Sequence, residues 1–235
     1  VPFMPVFSQL AAPENWQELK VRIRQGLLLT ALTMLPLTAI FIALAFPVIN
    51  VIYQRGNFSR EDSQMVVPVL MAYGFGMFFY LGRDVLVRVF YALGDGDTPF
   101  KVSIFNIFLN AGLDFVLVNS FQTPGLVLAT VGVNVTSMAA YIWILHRRLH
   151  GLPLGEWGLA FFQLTVISII SGLASWGVSL GWQSVFINSN LLLQLIQLCL
   201  STAIALVIFT FLAMQLKLPE VDILASKIRA KLGKR

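Results

Sequence analysis

Apolar residues in this chain gather into six long runs separated by short polar connections. The runs cover residues 26–53, 65–93, 100–118, 124–145, 158–181 and 191–216. At about 1.5 Å per residue, each is long enough to cross a hydrocarbon core of about 30 Å as a helix. Helices are the form expected, because a spanning segment must satisfy its own backbone hydrogen bonds in lipid. A membrane β-barrel needs alternating segments of roughly ten residues, and the chain carries none. The first two runs exceed the needed length. Pro36 and Pro47 lie inside the first and Pro68 near the start of the second, and each should bend or loosen its helix by removing a backbone hydrogen bond. Pro124 sits where a helix begins, so its missing N–H costs little.

Composition agrees with the pattern. The 235 residues are 57% hydrophobic and 11% charged, with mean hydropathy +0.81. A soluble domain carries about 25% charged residues, so this chain has too little polar surface to cover a water-soluble globule. The fold class expected is an all-α integral membrane protein with six transmembrane helices. The chain opens on Val1 with no leader pattern, and VPFMPVFSQLAA reads as the continuation of something already under way, the expectation being a piece of a longer protein. The single cysteine, Cys199, lies in an apolar run and cannot form an internal disulfide.

Charge sets the expected orientation. Lys20, Arg22, Arg24, Lys101, Arg147, Arg148, Lys217, Lys227, Arg229, Lys231, Lys234 and Arg235 fall on one side of a six-span chain, and only Arg55 and Arg60 on the other. Because cytoplasmic loops are positive, both ends of the chain are expected in the cytoplasm. The net charge of +5 thus reports loop orientation and not a nucleic-acid partner. The segmentation expected is a preceding helix end and linker over 1–21, a four-helix part over 22–150, a two-helix extension over 151–216 and a basic tail over 217–235. That tail reads as a positive-inside anchor, with anionic-lipid binding its sharper version.

Ionisable groups within the membrane are costly and need a reason. Asn110 and Asp114 are four apart on the third span and share a face. In an antiparallel hairpin turning near Gln122, Asp114 levels with Thr130 and Asn110 with Asn134. Carboxylate, amide, hydroxyl and a Leu126 carbonyl then converge as a hard monovalent cation such as Na⁺ requires. The competing reading is an aspartate that only glues two helices. On the second span, Asp84 and Arg88 are spaced as an ion pair, and Arg88 can snorkel to the cytoplasmic surface. Arg83 lies deeper, facing either a water-filled cavity with an anionic substrate or a self-satisfied charge cluster.

Asp95 and Asp97 in the turn GDGDTPF read as water-facing, and His146 and His150 as solvated. Ser171, Ser175 and Ser179, with Gly177 and Gly181, suggest close helix packing. No catalytic triad, zinc spacing or phosphate-cradling glycine loop appears in the sequence, so catalysis has no support.

Several stretches together resemble the MurJ (MviN) lipid II flippase family of the MOP transporter superfamily. They are PVFSQLAAPENWQEL at the start, Pro36 and Pro47, RGNF at 55–58, Asp62, and RVFYALGDGDTP at 88–99. The last is similar to that family's Arg-x-Phe-Tyr-Ala and Asp-Thr-x-Thr-Pro region. The resemblance covers nearly the whole chain and implies that the six spans are the family's helices nine to fourteen: the C-terminal lobe plus two extra helices that form a groove for a polyprenyl tail. It implies a sodium site with Asn110, Asp114, the Leu126 carbonyl and Thr130 as its matching positions, Leu126 standing where valine is usual. One further carboxylate of that site, and the cavity arginines of earlier helices, have no counterpart in this chain, which on this reading could not flip lipid alone.

The function so implied is translocation of lipid II, an undecaprenyl-pyrophosphate-linked peptidoglycan precursor, across the bacterial inner membrane by alternating access. Arg83 and Arg88 are the expected substrate-cavity residues, sodium the expected ion, and lipid II with membrane lipids the expected partners. The rivals are an O-antigen-type or multidrug exporter of the same superfamily, and a non-transporting membrane scaffold.

Overall fold

The computed structural model describes residues 3–53, 60–185, 190–216 and 218–222. RGNF at 55–58 and the basic sequence 223–235 lie outside the described residues, as does Lys217. All regular structure described is helical: α1 Phe3–Gln9, α2 Trp16–Ala43, α3 Ala45–Tyr53, α4 Arg60–Ala92, α5 Asp97–Phe121, α6 Thr123–Arg148, α7 Leu154–Val185 and α8 Leu191–Gln215. Among the described residues, six helices are long and apolar enough to cross a membrane, one for each apolar run.

The prolines act as their chemistry dictates, with one difference in degree. The first run is not one bent helix. It breaks at Leu44, separating α2 from α3. Pro47 lies three residues beyond the break and has no N–H to return to Ala43. Pro36 and Pro68 sit inside continuous helices. Near Pro36, the Thr38 hydroxyl donates to the Gly74 carbonyl of α4 at 2.8 Å.

The chain divides into two compact units, each discontinuous in sequence: Val1–Ala31 with Gly76–Phe161, and Leu32–Phe75 with Phe162–Arg235. The first has a core of Leu19, Ile23, Leu27, Leu86, Phe90 and Tyr141, all essentially inaccessible. Phe90 and Tyr141 meet at 5.3 Å between ring centroids. The second centres on Ile40, Leu44 and Ala205, with α3 packed on α8.

In the second unit, Ser171, Ser175 and Ser179 are buried along α7, as their spacing predicts. Gln197 of α8 donates to the Ser179 hydroxyl at 2.9 Å. Gly177 and Gly181 do not make the close approach expected of them, since among the described residues no atom lies within 4 Å of where their β-carbons would sit. Gly172 does: a β-carbon there would press on Ala39 of α2 at 3.0 Å. Apolar cavities of about 330 Å³ each lie beside α2, one lined by Ala39, Met71, Gly172 and Trp176, the other by Leu32, Pro36, Leu206 and Phe209.

The connections of the first unit are more ordered than their sequences suggest. α4 ends in a Schellman turn: the Asp95 N–H reaches Phe90 O, the Gly94 N–H reaches Tyr91 O, and Gly94 takes φ 71°. Asp95 does not simply face water. Its carboxylate accepts the Thr98 N–H at 2.9 Å and the Thr98 hydroxyl at 2.8 Å, capping α5, and it pairs with Arg148 at the end of α6. The histidines are engaged as well. His146 Nδ1 accepts the Leu152 N–H at 2.9 Å, and the His150 ring lies 5.8 Å from that of Trp16.

Burial pushes the Asp95 carboxyl up, but Thr98 and the Arg148 guanidinium outweigh it and hold the group below the usual aspartate range. The folded chain therefore binds this proton less readily than the unfolded chain. The stabilisation is present above the ordinary aspartate value of about 3.9 and is lost as pH falls through the lowered one. Asp95→Asn keeps an acceptor for Thr98 but loses the charge beside Arg148, and should cost about 0.5–1 kcal/mol at neutral pH. The gap from wild type should narrow in acid. Thermal unfolding in detergent between neutral pH and pH of about 3 checks both.

Candidate functional site

The site is built on the α5–α6 hairpin. The two helices meet at the single residue Gln122, which takes φ 54°. Positive φ is uncommon outside glycine. Pro124 follows with a preset φ and starts α6 at once. The hairpin is therefore tighter than the five-residue connection read from the sequence. Gly125 makes the closure possible, since a β-carbon there would overlap the Leu117 carbonyl of α5.

Three contacts fix the register. The Ser137 hydroxyl lies 2.9 Å from Asn106 Oδ1. Gly132 abuts Leu113, and Gly125 abuts Leu117. Each pair is nearly equidistant from residue 122, so Asp114 and Thr130 lie at matching height. α5 makes little use of its own surface, with Pro99 its only buried residue.

Within this frame the candidate ligands form two pairs. Asn110 Nδ2 donates to Asp114 Oδ2 at 2.8 Å. The Thr130 hydroxyl donates to the Leu126 carbonyl at 3.3 Å. Asn110 and Asp114 are half-buried, and Leu126 and Thr130 are exposed. Among the described residues, no hydrogen bond joins one pair to the other. All four donor groups are oxygen-bearing, which suits a hard cation. No cluster of three or more His, Cys, Asp or Glu occurs among the described residues, so a soft or borderline metal has no comparable donor set there.

The arginines of α4 separate. Arg88 places Nε at 3.0 Å and one terminal nitrogen at 2.7 Å from Asp84 Oδ2, the ion pair expected from spacing, with both side chains substantially exposed. Arg83 takes no part in that pair. Its guanidinium donates to Asn134 Oδ1 on α6 at 3.1 Å and lies 5.6 Å from the centre of the Tyr80 ring. Its Nε is buried without a partner. Asn134 in turn donates to the Thr130 carbonyl at 3.0 Å. The sequence spacing placed Asn134 level with Asn110 and gave it no role. An amide deep in the fourth span, with an arginine deep in the second that has no acid at ion-pair spacing, is the signal that could have found it.

The family model described as lipid II flippase MurJ matches residues 1–197. A protein of Synechocystis sp. named "Probable lipid II flippase MurJ" is 53% identical over 231 residues, 98% of this chain and 43% of that protein. "Lipid II flippase MurJ" of Burkholderia cenocepacia is 25% identical over 182 residues, covering 76% of this chain and 35% of the relative. A solved structure, "Lipid II flippase MurJ, inward closed conformation", aligns over 92% of this chain and 43% of its own, at 20% identity and TM-score 0.67. The chain thus spans less than half the length of these relatives and shares their fold. With a family model matching most of its length and a relative 53% identical along nearly all of it, this multi-pass membrane chain belongs to the lipid II flippase MurJ family.

Proposed function

We propose that this chain supplies six spans of a flippase that carries lipid II, an undecaprenyl-pyrophosphate-linked peptidoglycan precursor, from the inner to the outer leaflet of the bacterial inner membrane by alternating access. Family membership motivates the reading. The observation that carries it is the register of the α5–α6 hairpin, which sets Asp114 and Asn110 level with Thr130 and Asn134. An aspartate at that depth is costly in lipid and reasonable beside a cation.

In this reading Asp114, Asn110, Thr130 and the Leu126 carbonyl hold sodium. The ion supplies a compact positive charge that ties α5 to α6. To serve as ligands, the Asn110 amide must turn its oxygen toward the carboxylate side and the Thr130 hydroxyl must release the Leu126 carbonyl. Both changes are single side-chain rotations. Arg83 and Arg88 meet the pyrophosphate of the substrate. Arg83 is already without a carboxylate partner among the described residues, whereas Arg88 must first part from Asp84. Residues 22–150 form the four-helix part of a lobe. Residues 151–216 extend it, and the apolar cavities beside α2 suit a polyprenyl tail. Both ends of the chain face the cytoplasm, with 217–235 as the basic tail.

Depleting the full-length protein in cells that hold no other flippase tests this. Lipid II should accumulate in the inner leaflet and become inaccessible to outer-leaflet probes. Undiminished arrival at the outer leaflet overturns the proposal in favour of another substrate or a scaffold.

A further inference from the structure

We infer that Asn134 is a positioning residue that couples Arg83 to the cation ligands of α6, so that an anion at Arg83 and sodium at Thr130 strengthen each other's binding. The inference rests on the ion-site reading above and adds to it a link between the two charges.

Asn134 is 5% exposed and uses both ends of its amide. Its oxygen accepts from Arg83 at 3.1 Å, and its nitrogen donates to the Thr130 carbonyl at 3.0 Å. The Thr130 hydroxyl continues the line to the Leu126 carbonyl at 3.3 Å. Hydrogen bonds thus tie a guanidinium on α4 to the backbone carbonyl of Thr130, and the hydroxyl of that same residue holds the Leu126 carbonyl, so the link to the candidate ligands passes through the covalent frame of Thr130. In a membrane interior few waters compete for these groups, and each hydrogen bond is stronger there than in water.

The direction of the coupling follows from charge. Arg83 has no carboxylate partner among the described residues. Its Nε is buried without a hydrogen bond, and its guanidinium carbon lies 5.6 Å from the centre of the Tyr80 ring. An uncompensated cation one hydrogen-bonded residue from Thr130 opposes a second cation there, and low dielectric strengthens that opposition. An anion drawn to Arg83 removes it. The same anion competes with Asn134 for the guanidinium N–H groups, and the freed amide changes its hold on the Thr130 turn. Linkage then requires sodium to favour the anion by the same factor.

The test uses the full-length protein in lipid nanodiscs. Sodium is titrated against a choline background with thermal unfolding as the readout, in the presence and absence of undecaprenyl pyrophosphate. In wild type the pyrophosphate lipid should lower the sodium midpoint about fivefold or more. In Asn134→Leu, which removes the link and leaves only the through-space repulsion, that ratio should fall by about half or more while sodium still binds. In Asn134→Asp, which keeps the side-chain shape and sets a carboxylate beside Arg83, the sodium midpoint should be low from the outset and insensitive to the lipid. A merely structural Asn134 would lower the unfolding temperature and leave the ratio intact. An unchanged ratio in either variant, or a wild-type sodium response indifferent to the lipid, overturns the coupling and leaves the ion site standing. Absence of any sodium response in wild type overturns the ion site and the coupling together.

Discussion

Asp114→Ala is expected to abolish sodium-dependent behaviour of the full-length protein. The alanine removes the one carboxylate that α5 and α6 bring to the height of Thr130, and it leaves the Asn110 amide without its 2.8 Å partner. A charged hydrogen-bonding group contributes about 1.5–3 kcal/mol. At about 1.4 kcal/mol per tenfold, the sodium midpoint should rise by about one to two orders of magnitude. Removing a carboxylate from the membrane interior also relieves its own cost there. Unfolding temperature measured without sodium should therefore hold steady or rise, which separates a lost ligand from a lost fold. A sodium midpoint left unchanged by the substitution would leave Asp114 as helix glue.

Gly125→Ala should have the largest effect on stability of any single-methyl addition in the hairpin. The new β-carbon would overlap the Leu117 carbonyl, and backbone cannot move aside as a side-chain tip can. Overpacking of this kind costs about 1–3 kcal/mol and occasionally more. Here it must also part α5 from α6 at the turn that sets the register of Asp114 and Thr130. Loss of sodium response should accompany the loss of stability. Gly181→Ala is the matched control: nothing lies near that glycine, and the gain in helix propensity should leave it neutral or slightly stabilised. Thermal unfolding of the two variants side by side, with and without sodium, reads both expectations. Equal stability of the two would mean that the hairpin is looser than its geometry implies.

The six spans were legible because membrane burial is written in composition. A helix in lipid must be apolar over its whole length, and each apolar run corresponds to one long helix. Pro124 marked the start of α6 for an equally local reason. Hairpin register was legible too, since a short connection leaves two antiparallel helices little freedom to slide. Contacts between side chains were not. Asp95 looked like a solvated turn residue because neither Arg148, more than fifty positions away, nor its capping of Thr98 is visible in GDGDTPF. Gly177 and Gly181 carried the spacing of a packing motif, but that face of α7 meets open space, and Gly172 makes the close approach. Arg83 was recognisable as a charge that needs a partner, whereas the choice of Asn134 depended on how α4 and α6 pack. The candidate ion ligands stand between these cases. Spacing placed them at one height, and side-chain rotations decide whether they converge.

Coordination at Asp114 is the point on which the rest turns, and a structure of the full-length protein solved in sodium and again in choline measures it most directly. The expected result is density between the Asp114 carboxylate, the Asn110 amide, the Thr130 hydroxyl and the Leu126 carbonyl in sodium alone, with both intrahelical hydrogen bonds opened. Asp114 and Thr130 turned to opposite outer faces of the hairpin, with the same side-chain positions in both salts, would contradict it.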